Sequence, residues 1–182
     1  DYTVSLILAN LRNITGLNQH VWSGQWQPGE KWDLDRHITK NTENLTYGIL
    51  GLGEIGREVV RRVAPWGIHI AYNDICQSAE MEEQYPNLTY YEDVEQLFKA
   101  ADIVSLHIPL DDGTRHFVGE RLLRLMRPRA LLVNTARGAI IDFEALIRLL
   151  KNKEIAIHLA FDVYEEEPLP AGVLEQFRQV NA

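Results

Sequence analysis

Cysteine is nearly missing from this chain: Cys76 is the single one among 182 residues. That excludes an internal disulfide and a multi-thiolate metal site, and it suits a reducing compartment. Basic charge is also short, with 18 Lys and Arg against 26 Asp and Glu, a net charge of −8. Such a balance argues against DNA or another polyanion as the main partner, so any phosphate must be held by local geometry. Long apolar runs are absent too. No stretch reaches the roughly 18 consecutive apolar residues of a membrane span, and Tyr2 to Leu11 lacks the length and basic flank of a signal peptide. No His-Glu-x-x-His spacing suggests a metal, and no internal repeat or low-complexity segment is visible. The expectation is a cytoplasmic protein without membrane or nucleic-acid partners. At 46% apolar and 24% charged residues, the composition is that of one ordinary globular domain.

What the chain does have is a glycine-rich turn, Gly48-Ile-Leu-Gly-Leu-Gly-Glu-Ile-Gly-Arg57. Leu45 to Leu50 ahead of it reads as a short buried strand. Glu54 to Trp66 behind it carries Ile55, Val59, Val60 and Val63 at helical spacing. In a strand-turn-helix of this kind Gly51 permits the tight turn, Gly53 lets backbone approach a phosphate, and Gly56 lets the helix pack closely on the sheet. The free N–H groups at the helix start favour an anion. The next strand, Ile68 to Asn73, ends at Asp74, 18 residues past Gly56, where a carboxylate accepts hydrogen bonds from an adenosine ribose. These residues predict a dinucleotide site.

Along the rest of the chain, strand and helix patterns alternate. The chain opens on an amphipathic helix with Val4, Ile7, Leu8, Leu11 and Ile14 on its stripe, widened by Leu6. Trp22 and Trp26 read as packing residues before an irregular polar run to Asn44. Further helices are predicted at Ser78 to Gln84, Asp93 to Ala100, Glu120 to Met126 and from the Asp142 cap to about Leu150. Further strands are predicted at Leu88 to Tyr90, Ile103 to Ile108, Ala130 to Asn134 and Ile155 to Phe161. The apolar run of Ile103 to Ile108 is broken only by Ser105 and His107. Alternation with continuous apolar strands predicts an α/β fold, a doubly wound parallel sheet covered on both faces.

Ligands of open α/β sheets lie beyond the carboxyl ends of the strands. Here those ends are Gly51 to Gly56, Asp74, His107-Ile-Pro109, Asn134-Thr-Ala-Arg-Gly138 and Asp162-Val-Tyr-Glu-Glu-Glu-Pro168. With Ser105-Leu-His-Ile-Pro-Leu110 followed by Thr114, this ordered set resembles the nucleotide-binding domain of the D-isomer-specific 2-hydroxyacid dehydrogenases over nearly the whole chain. The resemblance implies a Rossmann-type NAD-binding domain and the interconversion of a 2-oxo acid with a D-2-hydroxy acid. It assigns the cofactor to the turn residues Gly51, Gly53, Glu54, Ile55 and Gly56 together with Asp74, His107, Pro109, Thr114, Thr135, Ala136, Arg137 and Asp162. It makes Arg137 the catalytic arginine, whose fork binds the substrate carboxylate, and Glu167 the acidic partner of a proton-donating histidine. No metal is implied.

Three departures accompany the resemblance. Glu54 puts a negative charge between the glycines, with Arg57 one turn later to offset it. Ile157 and His158 stand where relatives have small residues, and His158 is read as structural. The family's catalytic histidine follows this domain, and none of the six histidines present substitutes for it; His20, His37, His69 and His116 have no matching partner. The expectation is therefore that residues 1–182 are the NAD-binding domain of a larger two-domain protein, with 1–44 as the leading interdomain helix and connection and 45–182 as the Rossmann core. Alone, this chain is expected to bind NADH without turning over an oxo acid. The resemblance also implies a homodimer through the first helix, and Asp74 predicts NAD over NADP because it repels a 2′-phosphate. An NADH-sensing corepressor and a formate or phosphonate dehydrogenase remain as alternatives.

Overall fold

The structure, a computed structural model, describes residues 1–24 and 44–180; Trp26 and the polar run up to residue 43 lie outside them. Six strands, β1 (Thr46–Leu50), β2 (His69–Asn73), β3 (Leu88–Tyr90), β4 (Ile103–Leu106), β5 (Leu131–Asn134) and β6 (His158–Phe161), form one sheet in the order β3-β2-β1-β4-β5-β6. Every pairing is parallel. This is the order of two mononucleotide-binding halves, and it reverses between β1 and β4, which opens a crevice at their carboxyl ends.

The strands read as unbroken apolar runs because both faces are covered. In β5, Leu131 and Val133 join a cluster with Ile7, Val59, Val60 and Val63, while Leu132 joins one with Leu97, Leu122 and Leu146 on the opposite face. The first layer comes from α1 (Tyr2–Leu11), α3 (Glu54–Val63) and α4 (Ala79–Gln84). The second comes from α5 (Val94–Ala100), α6 (Glu120–Leu123), α7 (Phe143–Lys151) and α8 (Ala171–Val180). Side-chain caps start two of these helices, Asp93 accepting from the Glu95 amide and Asp142 from the Ala145 amide.

The structure corrects several expectations. The opening helix stops at Leu11, Asn13 takes a left-handed φ of 45°, and a separate α2 (Ile14–Trp22) follows. The stripe divides accordingly: Ile7 and Leu11 are buried, whereas Leu8 and Ile14 face solvent. Trp22 does not pack among the described residues; it is 82% exposed and its indole N–H donates to Asn18 Oδ1. The helix after the glycine turn ends at Val63 and continues as a 3-10 turn at Ala64–Trp66, because Pro65 supplies no N–H to an α-helical bond. β4 stops at Leu106, since His107 and Ile108 fold over Gly51. α6 is one turn long, and β6 begins only at His158, with Ile155 and Ile157 buried ahead of it. α8 is an addition to the expected elements; Phe177 packs it edge-on against Phe143.

Candidate functional site

The turn after β1 is fixed by backbone close approach. Gly51 has φ +96°, and a Cβ there would sit 2.8 Å from the His107 carbonyl carbon, so only glycine fits. A Cβ on Gly56 would overlap the Gly51 carbonyl oxygen. Gly53 differs: a Cβ there meets nothing within 4 Å, and its backbone is ordinary extended chain. The fold itself makes no demand for glycine at 53, so the space above it is free for a ligand.

Asp74 reaches across from the end of β2. Its Oδ2 accepts from the Leu52 amide at 2.5 Å, which ties the glycine turn to the neighbouring strand. Arg57 does not lean toward Glu54; its guanidinium donates to the Leu52 carbonyl, Ser78 Oγ and Glu80 Oε2. Glu54 lines the groove, and Ile55, 63% exposed, lies beside it instead of joining the buried face of α3.

On the other side of the crevice, the buried side chain of Asn134 shapes the loop after β5. Its Oδ1 accepts from the Ala136 amide at 3.0 Å and its Nδ2 donates to the Arg137 carbonyl at 2.9 Å. Thr135 Oγ1 lies 2.8 Å from the hydroxyl of buried Thr3 on α1. Arg137 is exposed and donates one N–H to the Ala136 carbonyl. Gly138 presses on the backbone of Tyr164 and Glu165 so closely that any Cβ would overlap it. The Arg137 turn and the loop bearing Glu167 are thus packed together. Glu167 Oε1 accepts from the Tyr164 amide at 2.9 Å.

Between the two turns lies a cavity of about 580 Å³ lined by Glu54, Ile55, His107 to Leu110 and Thr135 to Arg137. A second of about 490 Å³ shares Glu54, Ile55 and Thr135 with it and extends to Asp162 and the start of α1. Such volumes suit a bound cofactor. Thr114 lies outside this lining: its hydroxyl donates to the Pro109 carbonyl at 2.7 Å and braces the loop above the groove.

Sequence reasoning missed two polar connections. His116 does have a partner, its Nε2 lying 2.6 Å from Glu165 Oε1. Spacing gave no sign of it, because the two residues are 49 positions apart. Ser105 and His107, which interrupt an apolar strand two residues apart, are joined by a 2.8 Å hydrogen bond that continues to Tyr47 at 2.6 Å. Alternation along a strand puts i and i+2 on one face, so the spacing of Ser105 and His107 is itself a signal of their contact. Burial lowers the His107 imidazole to about 4, keeping it neutral, and raises the Tyr47 phenol above its ordinary range despite the opposing Ser105 bond.

A dinucleotide fits this arrangement. The open backbone at Gly53 and the first N–H groups of α3 would hold its pyrophosphate, and Asp74 its adenosine ribose. Among the described residues no group of three or more His, Cys, Asp or Glu could hold a metal ion, and no helix is long and apolar enough to cross a membrane.

Comparison with known proteins points the same way. Residues 4–181 match the family described as D-isomer specific 2-hydroxyacid dehydrogenase, NAD binding domain. A glyoxylate reductase of Thermofilum pendens is 38% identical over 170 residues, which are 93% of this chain and 49% of that protein. The NAD-complexed D-isomer specific 2-hydroxyacid dehydrogenase of Lactobacillus delbrueckii ssp. bulgaricus is 31% identical, with TM-score 0.78 over 97% of this chain and 53% of that one. A Granulicella M. formate dehydrogenase superposes with TM-score 0.82 at 29% identity over 97% of this chain and 45% of its own. The chain spans about half the length of the glyoxylate reductases it matches.

Proposed function

The chain belongs to the D-isomer specific 2-hydroxyacid dehydrogenase family through that family's NAD-binding domain, and from this premise we propose that the protein interconverts a 2-oxo acid and a D-2-hydroxy acid. NAD is the cofactor of this domain family and supplies or accepts the hydride. The observation that carries the reading is one groove with Glu54 and Ile55, which directly follow the open Gly53 backbone, on one wall and Arg137 on the other. In this reading Gly51, Gly53 and Gly56 bring backbone to the pyrophosphate. Asp74 offers its second carboxylate oxygen, Oδ1, to the ribose diol. Arg137 binds the substrate carboxylate bidentately and orients the carbon that exchanges hydride. Glu167 is the acidic partner of the histidine that carries the proton, and Asp162 faces the nicotinamide side.

Residues 45–182 act as the nucleotide-binding core and 1–44 as the interdomain connection. The reducing cytoplasm is the compartment, given one cysteine. The protein pairs as a homodimer through the outward side of α1 and α2, where Leu8, Ile14, Val21 and Trp22 are all at least 39% exposed. Sedimentation of the full-length protein as monomer only would reject that pairing.

The decisive experiment follows NADH oxidation by the full-length protein with glyoxylate, hydroxypyruvate and pyruvate, beside an Arg137→Ala variant. Turnover that the variant loses supports the reading; NADH binding without turnover of any oxo acid overturns it. The similarity to the formate dehydrogenase favours one second reading, a formate-oxidising enzyme, and formate with NAD belongs in the same assay.

A further inference from the structure

Under the floor of the groove, the Tyr47 phenol and the Ser105 hydroxyl are fully buried, on the paired strands β1 and β4. The phenol oxygen is 2.6 Å from Ser105 Oγ, and Oγ is 2.8 Å from His107 Nε2. Counting protons fixes the direction of both bonds. The Tyr47 proton has Ser105 Oγ as its partner among the described residues, so the phenol donates. Ser105 therefore accepts from Tyr47 and has its own proton left for His107 Nε2, which must accept it. A neutral imidazole that accepts at Nε2 carries its hydrogen on Nδ1. Reversing the chain strands the Tyr47 proton, and letting both neighbours donate strands the Ser105 proton; either buries an unpaired O–H. A doubly protonated ring does not escape the argument, because burial holds His107 near 4.

His107 lines the groove, and no buried side-chain nitrogen or oxygen among the described residues lacks a hydrogen-bond partner. Nδ1 has no partner among the described residues, so it is reachable from the groove. We propose that Tyr47 and Ser105 lock His107 as the Nδ1–H tautomer, so that it presents an uncharged N–H donor to an uncharged acceptor of the bound dinucleotide, a ribose hydroxyl or carbonyl oxygen. Tyr47 and Ser105 are then positioning residues that act through His107. The cofactor half of this proposal rests on the NAD reading; the tautomer itself does not.

Two measurements test it on the full chain. Nitrogen-15 correlation spectra near pH 7 without cofactor distinguish protonated from unprotonated ring nitrogens, and His107→Asn identifies the His107 signals among six histidines. His107 is expected with hydrogen on Nδ1, whereas a histidine in water favours Nε2–H. Ser105→Ala is expected to return it to Nε2–H. Nε2–H in the unaltered protein overturns the proposal whatever the variants do, and an unchanged tautomer in Ser105→Ala overturns the lock. NADH titration by fluorescence reads the second half. His107→Leu is expected to bind about five-fold more weakly, and His107→Asn, whose amide nitrogen falls where Nδ1 lies, to stay within about two-fold. Equal affinity in His107→Leu overturns the donor role. An unaltered protein that shows the Nδ1–H tautomer yet binds no NADH overturns the NAD reading and the donor role with it, leaving the lock standing.

Discussion

The turn at Gly51 to Gly56 and the turn at Asn134 to Gly138 each end a core strand, each line the same groove, and each rest a glycine against backbone where a Cβ would overlap. They are tied down differently. The first is held from a distance, by Asp74 on the Leu52 amide, a bond spanning 22 positions. The second is held from within, by Asn134 on Ala136 and Arg137, and is then pressed by Gly138 onto the Tyr164 and Glu165 backbone. They also offer the groove different chemistry. The β1 turn presents bare backbone at Gly53, suited to a diffuse anionic group; the β5 turn presents a guanidinium, suited to a planar carboxylate. Under the proposed function, the sheet separates holding a cofactor from gripping a substrate by using two strand ends on either side of its switch point.

Substitution at the glycines breaks this comparison most sharply. Gly138→Ala is expected to lose about 3 kcal/mol in urea denaturation, because the obstacle is the Tyr164–Glu165 peptide backbone, which cannot rotate away. Gly53→Ala on the β1 turn is expected to stay within about 0.5 kcal/mol in the same experiment while weakening NADH binding. If Gly53→Ala proved as damaging to stability as Gly138→Ala, the space over Gly53 would belong to the fold and not to a ligand.

Next in size is the local tie. Asn134→Ala removes both bonds from a fully buried position; it strands the Ala136 amide and leaves the Arg137 carbonyl with the 3.3 Å bond from the Ile140 amide alone. About 2 kcal/mol of stability is expected to go, and melting curves would read it. Asp74→Asn on the other turn keeps an acceptor for the Leu52 amide, so a smaller loss is expected there, together with a fall in the preference for NAD over NADP. In the unaltered protein that preference is expected to be at least about tenfold, roughly 1.4 kcal/mol. Titration with both cofactors decides, and equal affinities would sink the ribose role of Asp74.

His107, at the end of β4 between the two turns, adds a pH dependence. Its folded value of about 4 lies below the ordinary 6.5, so between these values the unfolded chain binds more protons than the folded one. Its contribution is complete above about pH 6.5 and is lost as pH falls toward about 4, on the order of 1 kcal/mol near pH 5.5. Denaturation midpoints at several pH values, compared with His107→Asn, would show this slope flatten in the variant; parallel slopes would assign the effect to other groups.

How much of this could be read without coordinates depends on how far apart the interacting residues are. The alternation of patterns, the parallel sheet and the glycine turn were legible because they rest on local periodicity and on spacings within a single strand-turn-helix. Element ends were less so: the break at Asn13 and the shortened β4 depend on where neighbouring backbone presses. α8 went unread because its burial onto Phe143 exists only once α7 is in place.

The sequence by itself determined the doubly wound fold class, the dinucleotide turn and the family, since each is carried by hydrophobic period or by motif order along the chain. Tertiary structure alone decided which glycines serve the fold and which leaves room for a ligand, that Asp74 also braces the turn, that Arg57 turns away from Glu54, and that His116 pairs with Glu165. It also decided the polarity of the Tyr47, Ser105 and His107 chain. The physical reason is the same in each case: close approach, desolvation and hydrogen-bond direction are set by atoms brought together from distant strands, and one-dimensional spacing holds no record of them.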